Sequence, residues 1–465
     1  MHKLYYQPEG FWVGDIMPYA MNGEFYIYHQ RDTRNPGPFG EPFGWSLAKT
    51  KDFIAYEDFG ESLKRGNDDD NDQFIYAGSV FGTDKMFHAF YTGYNREFLK
   101  EGKTSQILLH AVSMDGVTWE KSKEALKLPP QEGYDRRNWR DPFVLWDEKA
   151  KEYILILGAR KGEDKRKQTG RIVKFTSKNL EDWDFKGDFW SPGIYTMFEM
   201  PELFRIGQWW YLVYSEYSDK NKIHYRMSSS LDGPWLSPVD DAFDGRAYYA
   251  GRTAFDGKRR VLFGWVPTKE SEEDKNSYLW GGTFVPHEIF QREDGTLGTK
   301  PLDSLWNAFA DWKEFSHLHM KTIDTKMEKL ITENTGTLTA FEAEVTFNEG
   351  TKEFSLKFYE DQDTGVSYEY RFVIDENRVI FDKCPNYPWY QCFNIGLERP
   401  MELKPGKEYR IRLIIDDTIA TLYVNGTALS TRIYEKPGMA LGLTVTDGTL
   451  SCKDIKISAK VRKER

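Results

Sequence analysis

Three carboxylates occupy nearly matching places in a repeating frame. Asp15 lies eleven residues before Tyr26, Asp141 twelve before Tyr153, and Glu199 twelve before Tyr211. Each has small or apolar neighbours: Gly14-Asp15-Ile-Met-Pro, Trp139-Arg140-Asp141-Pro142 and Phe198-Glu199-Met200-Pro201. Taken singly, each acid reads as a turn or cap residue, and Arg140 beside Asp141 as a structural ion pair. Taken together they read as chemistry. Like charges brought close, in surroundings that exclude water, raise one another's pKa, so one carboxyl keeps its proton near neutrality. Glycoside hydrolysis needs one protonated carboxyl for the leaving oxygen and an ionised partner as nucleophile or base. A third can hold sugar hydroxyls and the developing positive charge.

The frame is a repeat of five apolar-aromatic strands: Glu24–Gln30, Lys85–Thr92, Glu152–Gly158, Gln208–Ser215 and Arg259–Val266, starting about 50 to 67 residues apart. Most are followed by a second repeated element, a short strand ending in Ser or Thr, a turn and an aromatic residue. Its copies run from Trp45, from His110 to Trp119, from Val173 to Trp183 and from Tyr225 to Trp235. Strands at this period with hardly any amphipathic helix between them predict a radial array of small sheets. The fold class is therefore all-β, a five-bladed β-propeller followed by a C-terminal antiparallel β-sandwich. Equivalent positions just upstream of each repeated strand converge on a propeller's axis, where the acids stand.

Near Pro301–Phe315 the pattern changes. Leu302 to Trp312 has helical spacing, and period-2 strands follow at Phe341–Phe347, Phe354–Tyr359, Tyr368–Ile374, Tyr409–Ile415 and Ile419–Val424. This gives a propeller over 1–305, a linker over 306–322 and a sandwich over 323–465.

The bulk numbers fit. Over 465 residues, 40% are hydrophobic and 29% charged, and 15 Trp, 27 Tyr and 31 Phe supply both core material and faces for stacking on sugar rings. A net charge of −10 without a basic cluster argues against nucleic acid as a partner. No stretch approaches a membrane span. The chain starts without a signal-peptide pattern, so it reads as cytoplasmic, or secreted if a leader was trimmed. The three cysteines, Cys384, Cys392 and Cys452, have neither disulfide nor metal spacing. The acidic run Asn67–Asp72 lacks the glycine and the final glutamate of a calcium loop and reads as a solvated loop. Oligomeric state is open, and no metal or cofactor is implied.

On these motifs the chain resembles glycoside hydrolase family 32, the invertase, fructanase and levanase group. Arg140-Asp141-Pro142 matches that family's Arg-Asp-Pro, and Glu199-Met200-Pro201 is similar to its Glu-Cys-Pro. Trp12-Val-Gly-Asp15 with Pro18 falls where Trp-Met-Asn-Asp-Pro-Asn-Gly would lie. Weaker echoes include Gln30, Trp45, Gly78-Ser79, Tyr249-Ala250, Gly264-Trp265, Pro286-His287-Glu288 and Leu422–Tyr434. The resemblance implies retention, with Asp15 the nucleophile, Glu199 the acid and base, and Asp141 with Arg140 gripping sugar hydroxyls. Gln30, Trp45, Ser79 and Trp265 would line the substrate site, and sucrose, fructooligosaccharide, inulin or levan would be the substrate class. Two departures stand out. Gly14 replaces the Asn before the nucleophile, and Ala77 a Ser, removing side-chain hydrogen bonds. The sequence thus predicts weak activity on sucrose compared with a longer, branched or otherwise modified substrate, and a gain from Gly14→Asn if the pocket otherwise keeps the family's geometry. Two other readings remain at this point: an inverting propeller arabinosidase or xylosidase, and a catalytically idle carbohydrate-binding propeller.

Overall fold

The computed structural model describes residues 2–122, 126, 128–164, 166–385 and 396–462; Cys392 lies outside them. Strands take 57% of the chain and helix 3%, so the protein is all-β.

Residues 12–300 form five successive antiparallel meanders. Their first strands are β1 (Trp12–Met21), β2 (Phe74–Gly82), β3 (Tyr134–Asp147), β4 (Glu199–Ile206) and β5 (Tyr249–Phe255). The strands repeated in the sequence are the second strand of each meander, paired to these. The second and third meanders have four strands, and the fourth three. The outer edge of the fourth is reduced to isolated bridges such as Met227–Leu236, where Pro234 and Pro238 interrupt the ladder. The first and fifth meanders merge into one sheet because Val13 on β1 pairs with Gly282 on strand Tyr278–Gln291.

The second repeated element has a local cause. A hydroxyl at the end of the third strand accepts the amide of the following turn: Thr50 from Phe53 at 2.8 Å, Ser113 from Gly116 at 2.9 Å, Ser177 from Leu180 at 2.9 Å and Ser228 from Ser230 at 3.1 Å. Short hydroxyl side chains make such turns because they reach a backbone N–H two or three residues on.

Every first strand also carries a β-bulge at the same level. Gly14 and Asp15 together oppose Gln30, Ala77 is an extra residue between the Tyr76 and Gly78 pairs, and Asp141 with Pro142 opposes Leu157. Met200 with Pro201 opposes Tyr214, and Ala250 with Gly251 opposes Gly264. Asp141, Met200 and Ala250 adopt left-handed φ of 65°, 52° and 54°. A bulge turns the strand and re-aims side chains; five at one level turn one ring of residues together.

After helix α1 (Asp303–Ala308), strands Lys313–Phe315 and Leu318–Thr332 already pair with β6 (Ala440–Ser458), the long strand of an eleven-stranded C-terminal sheet. Along its other edge β6 pairs end to end with Glu353–Glu360 and Leu338–Phe347. This part has its own core, including Phe341, Phe354, Leu356, Phe372, Leu413 and Leu443. A second core is shared: Phe243, Tyr248, Leu302 and Trp306 pack with Ile414, Ile419 and Tyr423. Among the described residues no helix is long and apolar enough to cross a membrane.

Candidate active site

The residues immediately before the five bulges are Val13, Tyr76, Arg140, Glu199 and Tyr249. The last three are linked in a row. Arg140 donates from Nη2 to Glu199 Oε1 at 2.7 Å and from Nε at 3.3 Å, while the Tyr249 hydroxyl donates to Glu199 Oε2 at 2.6 Å. Behind them, Arg140 Nη1 is held by Asn138 Oδ1 at 3.0 Å, and Asn138 by Asp135 at 2.7 Å. Both Glu199 oxygens thus have donors, one of them charged.

Asp141 is the first bulged residue of β3 and is 3% exposed. Its Oδ2 accepts the Met200 amide at 3.0 Å and lies 3.9 Å from Arg140 Nε. Its own amide donates to the Thr92 hydroxyl at 2.9 Å. Burial pushes its pKa up to about 6; Arg140 opposes the rise and Glu199 adds to it.

Asp15, half-buried, is the second bulged residue of β1. Its donors are weaker. Trp265 Nε1 reaches Oδ1 at 3.3 Å, and Trp280 supplies another hydrogen bond. Burial, then the charges of Asp141 and Glu199, push its pKa up to about 8. The three acids therefore share one electrostatic site, although they occupy three successive positions around the bulge rather than one equivalent position.

The other residues picked from the sequence divide. Trp265 touches Asp15. Gln30 lies behind it, taking the Asp15 amide on Oε1 at 3.3 Å and donating to the Ile75 carbonyl at 3.0 Å, which ties the first meander to the second. Ser79 accepts the Val144 amide at 3.2 Å and so bridges β2 to β3. Trp45 has no exposed surface to offer a sugar; its indole donates to the Tyr76 carbonyl at 3.0 Å and its edge meets Tyr91. These three support the wall from behind. In the acidic run, Asp72 is not solvated: it is 6% exposed and takes hydrogen bonds from Tyr91 at 3.1 Å and Lys121 at 2.5 Å.

Sequence reasoning met Tyr249-Ala250 only as a weak echo and gave Tyr249 no place in the site, although Tyr249-Ala250-Gly251 stands where other meanders carry their acids. It also missed what occupies the space over Gly14. A Cβ there would lie 2.2 Å from Trp280 Cη2, so the indole fills the room a side chain would need. Trp280 in turn packs on Phe39 at 4.5 Å and parallel to Phe43 at 6.0 Å, and Phe43 stacks on Tyr76. An aromatic wall thus stands where the resemblance placed an amide, and the side chain of Gly14→Asn would have to displace the Trp280 ring.

A cluster of carboxyls with displaced pKa values, an arginine among them and aromatic faces alongside has the features of a glycoside hydrolase site. The comparisons with known proteins agree. A model of the family described as glycosyl hydrolases family 32 N-terminal domain matches residues 5–301. The raffinose invertase of Escherichia coli is 25% identical, over 92% of this chain and 90% of its own. The sucrose-6-phosphate hydrolase of Escherichia coli is 24% identical, over 90% and 85%. Among solved structures, the fructan 1-exohydrolase IIa of Cichorium intybus in complex with 1-kestose superposes with a TM-score of 0.78 at 16% identity, covering 100% of this chain and 98% of its own. The chain belongs to glycosyl hydrolase family 32 and is a hydrolase of the β-fructofuranosidase type, acting on fructosyl linkages.

Proposed function

We propose that this hydrolase cleaves sucrose- and fructooligosaccharide-type substrates with retention, on a five-bladed β-propeller over 1–305 followed by a β-sandwich that already takes in the strands Lys313–Phe315 and Leu318–Thr332. The five bulged meanders support the propeller reading, and the relatives named for raffinose, sucrose 6-phosphate and fructan support the substrate class. The observation that carries the mechanism is the convergence of Asp15, Asp141 and Glu199 from three separate strands onto one coupled site.

Asp15 attacks the anomeric carbon of the fructosyl unit while Glu199 gives its proton to the departing oxygen, leaving a glycosyl ester on Asp15. Glu199, now ionised, takes a proton from water as that water displaces Asp15, and both residues return to their starting state. Asp141 and Arg140 hold ring hydroxyls through both steps; hydrogen bonds of this kind to charged groups contribute about 1.5–3 kcal/mol each.

The test is hydrolysis of sucrose, sucrose 6-phosphate, inulin, levan and an aryl arabinofuranoside, with the first-formed anomer followed by NMR. Free fructose, released first as the β-anomer, is the expected result. Release of the inverted anomer would overturn retention, arabinose without fructose would overturn the substrate class, and binding without turnover would mark an idle carbohydrate binder.

A further inference from the structure

Arg252 has no part in the chemistry so far. It follows the Ala250–Gly251 bulge on β5, is 1% exposed, and its guanidinium lies 5.4 Å from the centroid of the Phe143 ring. Nη2 donates to the Asp141 carbonyl at 2.9 Å and to the Pro142 carbonyl at 3.4 Å. Nε and Nη1 have no acceptor among the described residues. A buried guanidinium left part-unsatisfied costs stability, and an apolar side chain would pack against Phe143 without that cost. Its return has to be sought elsewhere.

Two contributions are visible. The first is geometric. Asp141 holds a left-handed φ of 65°, which a residue with a side chain adopts only when its surroundings insist. Thr92 grips the amide of that residue and Arg252 its carbonyl, so the peptide that aims Asp141 is pinned at both ends.

The second is charge. Arg252 is a positive charge beside the carboxyls of Glu202, Asp141 and Asp15, in a site that also holds Glu199, Glu216, Asp135, Arg140, Arg160 and Arg260. Tyr249, which touches Glu199, stays neutral because burial and the Glu199 charge raise its pKa well above the usual value. With Arg252 gone, the carboxyls beside it lose a positive neighbour, and each holds its proton to higher pH.

We propose that Arg252 is a positioning residue for the reaction: it locks the Asp141 peptide and supplies the positive charge that keeps the neighbouring carboxyls from holding their protons too tightly. This rests on Asp15 and Glu199 carrying the reaction proposed above, and its test therefore includes a measurement that needs no substrate.

Arg252→Met and Arg252→Lys are compared with the unaltered chain, each also in an Asp15→Asn background. The first readout is the difference in Tm between each protein and its Asp15→Asn counterpart from pH 4 to 9, which follows the ionisation of Asp15. It should move upward by about one pH unit in Arg252→Met and stay in place in Arg252→Lys. The second is the pH–rate profile on sucrose or whichever fructoside the wild type cleaves. In Arg252→Met both limbs should move to higher pH by about one unit and kcat fall about 100-fold, with KM changed much less. Arg252→Lys should return the limbs but not the full kcat. A folded Arg252→Met protein whose Tm difference and rate profile keep their wild-type positions would overturn the proposal. If Arg252→Met does not fold, Arg252→Gln takes its place, and identical profiles for Gln and Lys would overturn it equally. Absence of turnover in the wild type would sink the functional reading alone, because the Tm readout remains.

Discussion

At Asp15 and Glu199 the hydrogen-bond donors are unequal. Glu199 is served by a guanidinium and a tyrosine hydroxyl, Asp15 by two indole N–H groups. Asp15, with the weaker donors, keeps its proton to higher pH than an ordinary carboxyl, and the attack proposed for it requires that proton to leave. A carboxyl whose pKa is raised on folding favours the folded state fully below its unfolded pKa, near 4, and loses that contribution as pH rises through its folded value, here about 8. Asp15→Asn removes the penalty. The variant should match the wild type in Tm near pH 4, exceed it by several degrees near pH 9, and lose about four orders of magnitude or more in kcat. Thermal melts across pH and single-turnover rates test this together; equal melting curves at all pH values would contradict the assignment.

At the scale of strands, the periodic elements were legible because their causes are local. Aromatic second strands and hydroxyl-capped turns are written in consecutive residues, and the expected strands Phe354–Tyr359 and Ile419–Val424 fall within those observed. The bulges were not legible. An extra residue is defined only against a partner strand, so the offsets of eleven and twelve residues looked equivalent while the acids in fact occupy three different bulge positions. Trp280 was hidden for a related reason: it reaches Gly14 from the fifth meander, more than 260 residues along the chain, across the junction of first and fifth meanders. The consequence reverses a sequence-based expectation. Gly14→Asn forces Trp280 aside, and overpacking of this kind costs about 1–3 kcal/mol. It should lower kcat/KM on sucrose at least about tenfold rather than raise it. Pairing it with Trp280→Ala should recover part of the loss, and a gain from Gly14→Asn alone would show that the indole yields freely.

Over the whole molecule, the meanders and the C-terminal sheet are fixed to each other by a buried polar knot within the shared core. His287 bridges the Asp244 carboxylate at 3.0 Å and the Tyr423 hydroxyl at 2.8 Å, and Asp244 also takes the Ser430 amide at 2.7 Å and hydroxyl at 2.6 Å. Burial alone would raise the Asp244 pKa, but the hydrogen bonds from His287 and Ser430 outweigh it and hold the carboxyl below its usual range. Its stabilisation is therefore present above the unfolded carboxyl pKa and disappears as pH falls below it. Asp244→Asn should lose about 3–5 kcal/mol in denaturant unfolding at pH 7 and progressively less toward pH 3. A loss that does not shrink on acidification would place the cost in packing instead. The N-terminus is drawn into the same assembly, since the Asp416 carboxylate accepts the amides of Lys3, Leu4 and Tyr5. The closure between Val13 and Gly282 sets a clock on biosynthesis. The strand carrying Asp15 leaves the ribosome before its closing partner, which follows about 270 residues later, and at about 5–20 residues per second that is a wait of roughly 15–50 s. Through that interval the first meander has an open flank, so the nascent chain is most exposed to misassociation before the surroundings of Asp15 are complete.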